Sequence, residues 1–135
     1  MINRQTRSDV ALVVDDSAET LAMLSQVLDE EGLTVLIALD GEQAINIASK
    51  MIPDIILLDA IMPNMDGFET CRRLKQQSGL KNIPIIFMTG LSDTEHIVMG
   101  LEAGGVDYVA KPINPPELVA RNLLHVARLE DPGRG

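Results

Sequence analysis

Three aspartates, one threonine and one lysine stand out in this 135-residue chain because each follows a short apolar segment. They are Asp15, Asp16, Asp59, Thr89 and Lys111. If the fold brings the carboxylates within about 4 Å of one another, each pair repels by about 4 kcal/mol at an effective dielectric constant of about 20. Such a cluster needs a cation, and its oxygen ligands favour Mg²⁺ or Mn²⁺ over zinc.

The same side chains are suited to phosphoryl transfer onto a carboxylate. Asp59 can attack phosphorus in line, while a metal ion and the ammonium group of Lys111 offset the negative charge of the phosphoryl group. A strand-end aspartate with a metal ion is used by switch modules and by phosphatases. Both classes are therefore open at this point.

The elements that position these residues follow from the apolar pattern, in which short strand-like segments alternate with helical periodicity. The predicted strands are Val10–Val14, Thr34–Ile37, Ile55–Leu58, Ile85–Met88 and Val106–Val109. A helix is predicted after each strand, the fourth over about Ser92–Ala103 and the fifth over about Pro115–Leu129. This order predicts an α/β fold, a doubly wound five-stranded parallel sheet with its ligand site at the carboxyl ends of the strands.

Helix-capping residues agree with this assignment. Gly32 can end the first helix, Asp40 can cap the second, and Asn114, Pro115 and Glu117 supply a cap, a first-turn proline and a capping-box partner for the fifth. The fifth strand segment alternates apolar and polar residues, which suits an edge of the sheet.

The composition is that of one globular domain. With 46% hydrophobic and 23% charged residues, the chain can bury a core without staples. We assign residues 9–129 to the domain, 1–8 to an N-terminal extension and 130–135 to a C-terminal tail or the start of a linker. The apolar runs fall far short of the roughly 20 residues that span a bilayer, and the N-terminus lacks a secretory signal. We therefore expect a cytoplasmic protein without membrane contact.

Charge and aromatic content argue against direct binding of nucleic acid. A formal net charge of −9 repels a polyanion, and 2% aromatic residues leave few stacking platforms. Cys71, His96 and His125 lie on helical patterns without metal-ligand partners at useful spacing, so we interpret them as packing or surface residues. The basic segment 72–75 is interpreted as a solvated helix face, and Asp66 as a turn residue before glycine.

Four segments together carry a specific signature. They are VVDDS at 13–17, LLDAIMPNMDG at 57–67, IIFMTG at 85–90 and GGVDYVAKP at 104–112. At these spacings the sequence resembles the response-regulator receiver domain of two-component signalling, the CheY-like superfamily, over about residues 9–129. The resemblance implies a flavodoxin-like (βα)₅ fold with strand order 2-1-3-4-5.

The resemblance also implies site roles. Asp59 would accept a phosphoryl group from a phosphohistidine on a sensor histidine kinase or a histidine phosphotransfer protein. Mg²⁺ would be bound by the side chains of Asp16 and Asp59 and by the backbone carbonyl of Ile61, with Asp15 acting mostly through a water molecule. In the same family Thr89 and Lys111 would hold the phosphoryl oxygens, which makes the protein a switch and not an enzyme on other substrates.

A switch needs an output surface, and the resemblance places it on the fourth helix, fifth strand and fifth helix. Thr89 and Tyr108 occupy the positions that couple phosphorylation to this surface, where an output domain or effector would bind. A phosphorylation-dependent dimer is a further assembly that the resemblance allows for this surface. The family further suggests a cis peptide bond between Lys111 and Pro112.

Some positions depart from the family or bear on how long the signal lasts. Gly105 stands where alanine is usual, which predicts a looser turn before the fifth strand. Ile61 and Leu91, two positions after Asp59 and Thr89, stand where members of the family influence the water that attacks the acyl phosphate. Both are apolar and cannot orient it by hydrogen bonding, so the resemblance implies slow self-dephosphorylation.

Two other function classes fit less well. A metal-dependent phosphatase or phosphotransferase of the haloacid-dehalogenase type has two aspartates separated by one residue, and Asp59-Ala60-Ile61 and Asp15-Asp16-Ser17 both lack that spacing. A flavin-binding electron carrier needs a phosphate-binding loop after the first strand, where the acidic segment DDSAE would instead repel phosphate.

Overall fold

The computed structural model describes residues 9–90 and 94–130. The strands are β1 (Val10–Val14), β2 (Thr34–Ala38), β3 (Ile55–Asp59), β4 (Ile85–Thr89) and β5 (Asp107–Ala110). The helices are α1 (Ala18–Glu30), α2 (Gly41–Lys50), α3 (Gly67–Lys75), α4 (Thr94–Ala103) and α5 (Pro115–Glu130). The alternation confirms the predicted order of elements, while the predicted start of the fourth helix at Ser92 lies outside the described residues.

The five strands form one parallel sheet in the order β2-β1-β3-β4-β5. This confirms the predicted 2-1-3-4-5 topology, and β5 lies at an edge as its alternating sequence indicated. Every residue of β3 and β4 is buried. Their unbroken apolar sequences follow from this position, because helices cover both faces of the inner strands.

The strand ends differ slightly from the prediction. β2, β3 and β4 each extend one residue further, and β5 begins and ends one residue later. The added residues of β3 and β4 are Asp59 and Thr89, which lie opposite Met88 and Ala110 in the ladder. Since strand pairing uses backbone groups, a polar side chain does not end it.

The predicted helix ends are confirmed, except for the capping box expected at α5. Gly32 follows α1 with a φ of 88°, and Asp40 accepts a 2.8 Å hydrogen bond from the backbone amide three residues later. At α5 the Asn114 side chain accepts from the amide of Glu117 at 3.0 Å. The Glu117 carboxylate, however, pairs with Arg121 at 3.2 Å instead of completing the expected capping box.

Two apolar cores hold the sheet between its helices. Phe68 of α3 and Phe87 of β4 belong to the core under α2, α3 and α4, and Leu24 of α1 and Leu118 of α5 to the core on the opposite face. Cys71 is fully buried in the first core, and burial raises the pKa of its thiol to about 11. Its predicted packing role is confirmed.

Candidate functional site

The carboxyl ends of the strands bring the predicted site residues together. Asp15 and Asp16 follow β1, Asp59 ends β3, Thr89 ends β4 and Lys111 follows β5. Ligand oxygens of the three aspartates lie within 4.8 Å of one another. Because parallel strands all end at the same edge of a sheet, residues far apart in the chain form one cluster.

The three carboxylates differ in exposure and in what holds them. Asp15 is fully buried and accepts a 2.8 Å hydrogen bond from the amide of Ser17. Asp59 is 4% exposed and accepts from the amide of Ile61 at 3.3 Å. Asp16 is exposed. Asp15 and Asp59 are therefore buried, whereas Asp16 lies at the solvent-exposed rim of the cluster.

Lys111 is the cation of the cluster. Its Nζ lies 2.9 Å from Asp15 Oδ2 and 3.5 Å from Asp59 Oδ1. Burial alone would lower the pKa of Lys111, but its hydrogen bond to Asp15 and the charge of Asp59 raise it above the ordinary value. The lysine is thus charged and directed at both carboxylates; the bond joining it to Pro112 is cis, as the resemblance suggested.

Asp59 carries an unfavourable charge. Burial and the neighbouring charge of Asp15 raise the pKa of Asp59 to about 6, even though Lys111 acts in the opposite direction. A single ammonium group therefore does not balance the carboxylates. The remaining repulsion is what a divalent cation relieves, and the all-oxygen donor set fits a hard ion.

Thr89 is connected to the lysine through the backbone. It is buried, and its carbonyl accepts a 2.9 Å hydrogen bond from the amide of Lys111. A cavity of about 20 Å³ is lined by Thr89 and Phe87 of β4, by Tyr108 of β5 and by residues of α4 that include His96 and Gly100. The two predicted switch residues, Thr89 and Tyr108, thus border the same small space under α4.

The other candidate residues lie outside this cluster. Asp66 accepts from the amide of Glu69 at 2.9 Å and caps α3. Arg72 and Arg73 are exposed and both pair with Glu69. Lys75 differs from the predicted solvated face, since its ammonium group donates to the carbonyls of residues 81 and 83 at 3.1 and 2.5 Å. The basic residues therefore make contacts that stabilise α3 and the loop that follows it.

His125 is a buried packing residue, as predicted. Its Nε2 lies 3.2 Å from Asp107 Oδ2, and Arg121 Nη1 holds both oxygens of the same carboxylate at 2.7 and 2.9 Å. Burial would raise the pKa of Asp107, but hydrogen bonds from His125, the Tyr108 amide and Arg121 hold it below the ordinary value. This network joins β5 to α5.

Sequence reasoning missed Gly67. A Cβ at this first residue of α3 would overlap the carbonyl oxygen of Asp59 and lie 2.8 Å from Ala60 Cα. Glycine after a capping aspartate is common and does not by itself indicate contact with a strand 8 residues earlier. In the sequence, the one indication of this contact is that Gly67 is the last residue of the motif LLDAIMPNMDG.

The fold and the acidic cluster define the class of protein: a five-stranded parallel α/β domain with a carboxylate-lined site at its strand ends. Residues 11–122 match the response regulator receiver domain family, and the chain belongs to that family. It is therefore a phosphorylation-dependent signalling switch. The haloacid-dehalogenase alternative gains no support from the relatives.

The chain is also similar to curated proteins that are named as regulators. The chain is 42% identical over 120 residues to the DNA-binding response regulator MtrA of Mycobacterium tuberculosis, which covers 89% of this chain and 51% of that protein. It is 40% identical to a probable transcriptional regulator, ycf27, of Guillardia theta, over 89% of this chain and 46% of the relative. The chain thus spans about half the length of the curated relatives it matches.

Solved structures agree in fold. The Vibrio cholerae chemotaxis protein CheY4 superposes with a TM-score of 0.83 at 34% identity, covering 89% of this chain and 99% of that one. A two-component response regulator from Clostridium difficile gives a TM-score of 0.86 at 27% identity, with 92% and 100% covered. In the part of the chain that the structure describes, no helix has the length and apolar character to cross a membrane.

Proposed function

We propose that Asp59 is the residue that accepts the phosphoryl group. The observation that carries this proposal is its position: Asp59 ends β3, its carboxylate lies within 4.8 Å of those of Asp15 and Asp16, and the ammonium group of Lys111 is 3.5 Å away. In the transfer, the P–N bond of a phosphohistidine breaks as a P–O bond forms to the Asp59 carboxylate. The imidazole nitrogen leaves with the electron pair of the P–N bond and takes up a proton from solvent, which gives neutral histidine and an aspartyl phosphate.

The metal ion we propose is Mg²⁺, held by the carboxylates of Asp16 and Asp59 and the carbonyl oxygen of Ile61, with Asp15 reached through a water molecule. When bound, it offsets repulsion among the carboxylates and the charge of the phosphoryl group. Lys111 supplies a second positive charge, and the hydroxyl of Thr89 can donate to a phosphoryl oxygen. Asp59 must be ionised to act as the nucleophile.

Phosphorylation by a small donor tests this assignment. Acetyl phosphate and Mg²⁺ should add one phosphoryl group, seen as a mass increase, and Asp59→Asn should abolish it. Asp66→Asn is the matched control, because asparagine keeps the helix cap of α3 while removing a nearby carboxylate. Labelling of the Asp59→Asn variant at unchanged occupancy would show that another residue is the acceptor.

For the physiological partners, we propose a sensor histidine kinase or a histidine phosphotransfer protein as donor. The chain spans about half the length of its curated relatives, which supports an output domain as the receiver of the signal; a separate effector is the alternative. The net charge of −9 opposes direct contact with nucleic acid by this domain. We place the protein in the cytoplasm, as a switch whose only chemistry is its own phosphotransfer and dephosphorylation.

The output surface we propose is the face formed by α4, β5 and α5. Val98 and Leu101 of α4, Tyr108 of β5 and Leu124 of α5 are each at least 37% exposed. Exposed apolar side chains on adjacent elements are typical of an interaction surface. The cavity between Thr89 and Tyr108 gives this face a route to the phosphorylation site, and a phosphorylation-dependent dimer is one assembly that it could support.

A further inference from the structure

We propose that Gly67 is a positioning residue for phosphorylation, an inference that rests on the proposed role of Asp59. Gly67 is the first residue of α3, and its backbone lies directly against the end of β3. A Cβ at Gly67 would overlap the Asp59 carbonyl oxygen and lie 2.9 Å from Asp59 C and 2.8 Å from Ala60 Cα. The absence of a side chain therefore allows α3 to reach the residue that is phosphorylated.

The backbone that Gly67 touches carries two proposed ligand atoms. The Asp59 carboxylate and the Ile61 carbonyl lie on either side of Ala60. On one side the Ala60 amide donates to Met88 of β4 at 2.9 Å, and on the other the Gly67 amide donates to the Ala60 carbonyl at 2.8 Å. Ala60 is thus held between a strand and a helix, so we expect a shift of α3 at Gly67 to displace the Asp59 carboxylate and the Ile61 carbonyl.

Gly41 provides a natural comparison within the same chain. Both glycines are the first residue of a helix and follow a capping aspartate, Asp40 for α2 and Asp66 for α3. A Cβ at Gly41 would overlap the hydroxyl of Thr70 and lie 3.0 Å from the sulfur of Met65. The obstacle at Gly41 is made of side chains, which can shift or be removed, whereas the obstacle at Gly67 is the backbone of the proposed site.

The experiment compares Gly67→Ala with Gly41→Ala in the full chain. Thermal unfolding gives the stability of each variant, and function is measured at a temperature where both are folded. Mg²⁺ affinity is measured by NMR titration, and the rate of phosphorylation by acetyl phosphate is measured at saturating Mg²⁺. A general loss of stability changes neither the Mg²⁺ affinity nor the phosphorylation rate of the molecules that are folded. A change in either quantity therefore reports an effect on the site itself.

For Gly67→Ala we expect Mg²⁺ affinity to fall by about tenfold, the range seen when a group that orients a metal ligand is changed. Phosphorylation at saturating Mg²⁺ should also slow by about tenfold or more, because the carboxylate is displaced from the line of attack. Gly41→Ala should lose stability yet keep both values. Removing the Thr70 hydroxyl, as in Gly41→Ala with Thr70→Ala, should then recover part of that stability.

A second pair of variants covers the case in which Gly67→Ala does not fold. Asp66→Ala and Asp40→Ala each remove a helix cap without adding an atom, and Asp66→Asn controls for the lost charge. Asp66→Ala should weaken Mg²⁺ binding more than Asp40→Ala or Asp66→Asn. Equal affinities in this series, or equal losses in Gly67→Ala and Gly41→Ala, would overturn the positioning role.

The Asp59→Asn variant separates this inference from the proposed function. If Asp59→Asn is still phosphorylated, the acceptor is wrong whatever Gly67 does. Suppose instead that Asp59→Asn is not phosphorylated, while Gly67→Ala has the Mg²⁺ affinity and phosphorylation rate of the unmodified protein. Asp59 is then still the acceptor, and the positioning role of Gly67 is refuted.

Discussion

The ring of Phe87 fills the space that a side chain at Gly105 would need. A Cβ at Gly105 would lie 2.6 Å from Phe87 Cε2, and one at Gly100 of α4 would lie 3.0 Å from Cδ2 of the same ring. Phe87 also contacts Phe68, with ring centroids 5.2 Å apart. One aromatic side chain of β4 thus sets how closely α4 and the turn before β5 approach the sheet.

This contact predicts a coupled pair of substitutions. Gly105→Ala should lower the free energy of unfolding by about 1–3 kcal/mol because the new methyl group collides with the ring. With Phe87→Leu in place the same change should cost much less, so the two effects should be non-additive in a double-mutant cycle. Denaturant unfolding measures all four proteins, and Gly90→Ala, whose Cβ meets open space, is the control. Simple additivity would mean that the ring does not set the requirement for glycine.

The raised pKa of Asp59 predicts a pH-dependent penalty on stability. Folding raises this pKa from 3.8 to about 6, so the native state holds the proton more tightly and stability falls as pH rises between about 4 and 6. Without Mg²⁺ at pH 7, Asp59→Asn should therefore be more stable, by about 2–3 kcal/mol at most. The advantage should shrink toward pH 4. Denaturant unfolding in a chelator at both pH values measures it, and a variant less stable at pH 7 would contradict the prediction.

The acidic cluster predicts stabilisation by Mg²⁺. Since the ion binds the folded site, the melting temperature should rise with millimolar Mg²⁺. Asp16→Ala should weaken this response strongly, because Asp16 supplies a proposed ligand at the rim of the site. Asp66→Asn should leave the response in place, since Asp66 caps α3. A melting curve of the unmodified protein that does not move at high Mg²⁺ would argue against the site.

The cavity between Thr89 and Tyr108 predicts which surface changes when the protein is activated. Adding beryllofluoride, a phosphoryl mimic, should move the Thr89 hydroxyl toward the site and turn the Tyr108 ring inward. NMR shift changes should then cluster on α4, β5 and α5, and Tyr108→Ala should reduce them there while leaving changes around Asp59. Changes confined to α2 and α3 would point to a different output surface.

Ile61 predicts how slowly the phosphoryl group is lost. Ile61 is 53% exposed and directly follows Ala60, whose carbonyl is bonded to the Gly67 amide. Its side chain is apolar and cannot orient a water molecule by hydrogen bonding. Ile61→Asn should accelerate decay of the phosphorylated, donor-free protein, and a tenfold increase corresponds to about 1.4 kcal/mol of barrier. Unchanged or slower decay would show that this position does not act on the water. Leu91, the companion residue in the sequence prediction, lies outside the described residues.

Much of the site could be predicted because its residues stand at positions that the fold class makes special. Asp59 and Lys111 follow apolar segments, and parallel strands bring their carboxyl ends together whatever the details of packing. The convergence of these two residues needed only the order of elements. Asp15 and Asp16 were found in the same way.

The strand boundaries and the contacts of residues outside the site were harder to predict from the sequence. The strand predicted as Val106–Val109 begins one residue later, because the ladder is decided by backbone partners on β4 and not by the side-chain pattern. Lys75 was interpreted as solvated, yet its ammonium group reaches carbonyls 6 and 8 residues away. Contacts of this kind depend on how a helix and the following loop are placed.

The sequence by itself therefore determined the class of fold, the strand order implied by its family resemblance, and the carboxylates and lysine that meet at the strand ends. The fold class and the converging residues follow from periodicity and residue type, which are local properties, whereas the strand order came from the resemblance alone. Only the tertiary structure decided that Gly67 lies against Asp59, that Phe87 requires Gly105, and that His125 and Arg121 share Asp107. Each of these depends on close approach between elements distant in the chain, and steric fit at that distance is not encoded in any local pattern.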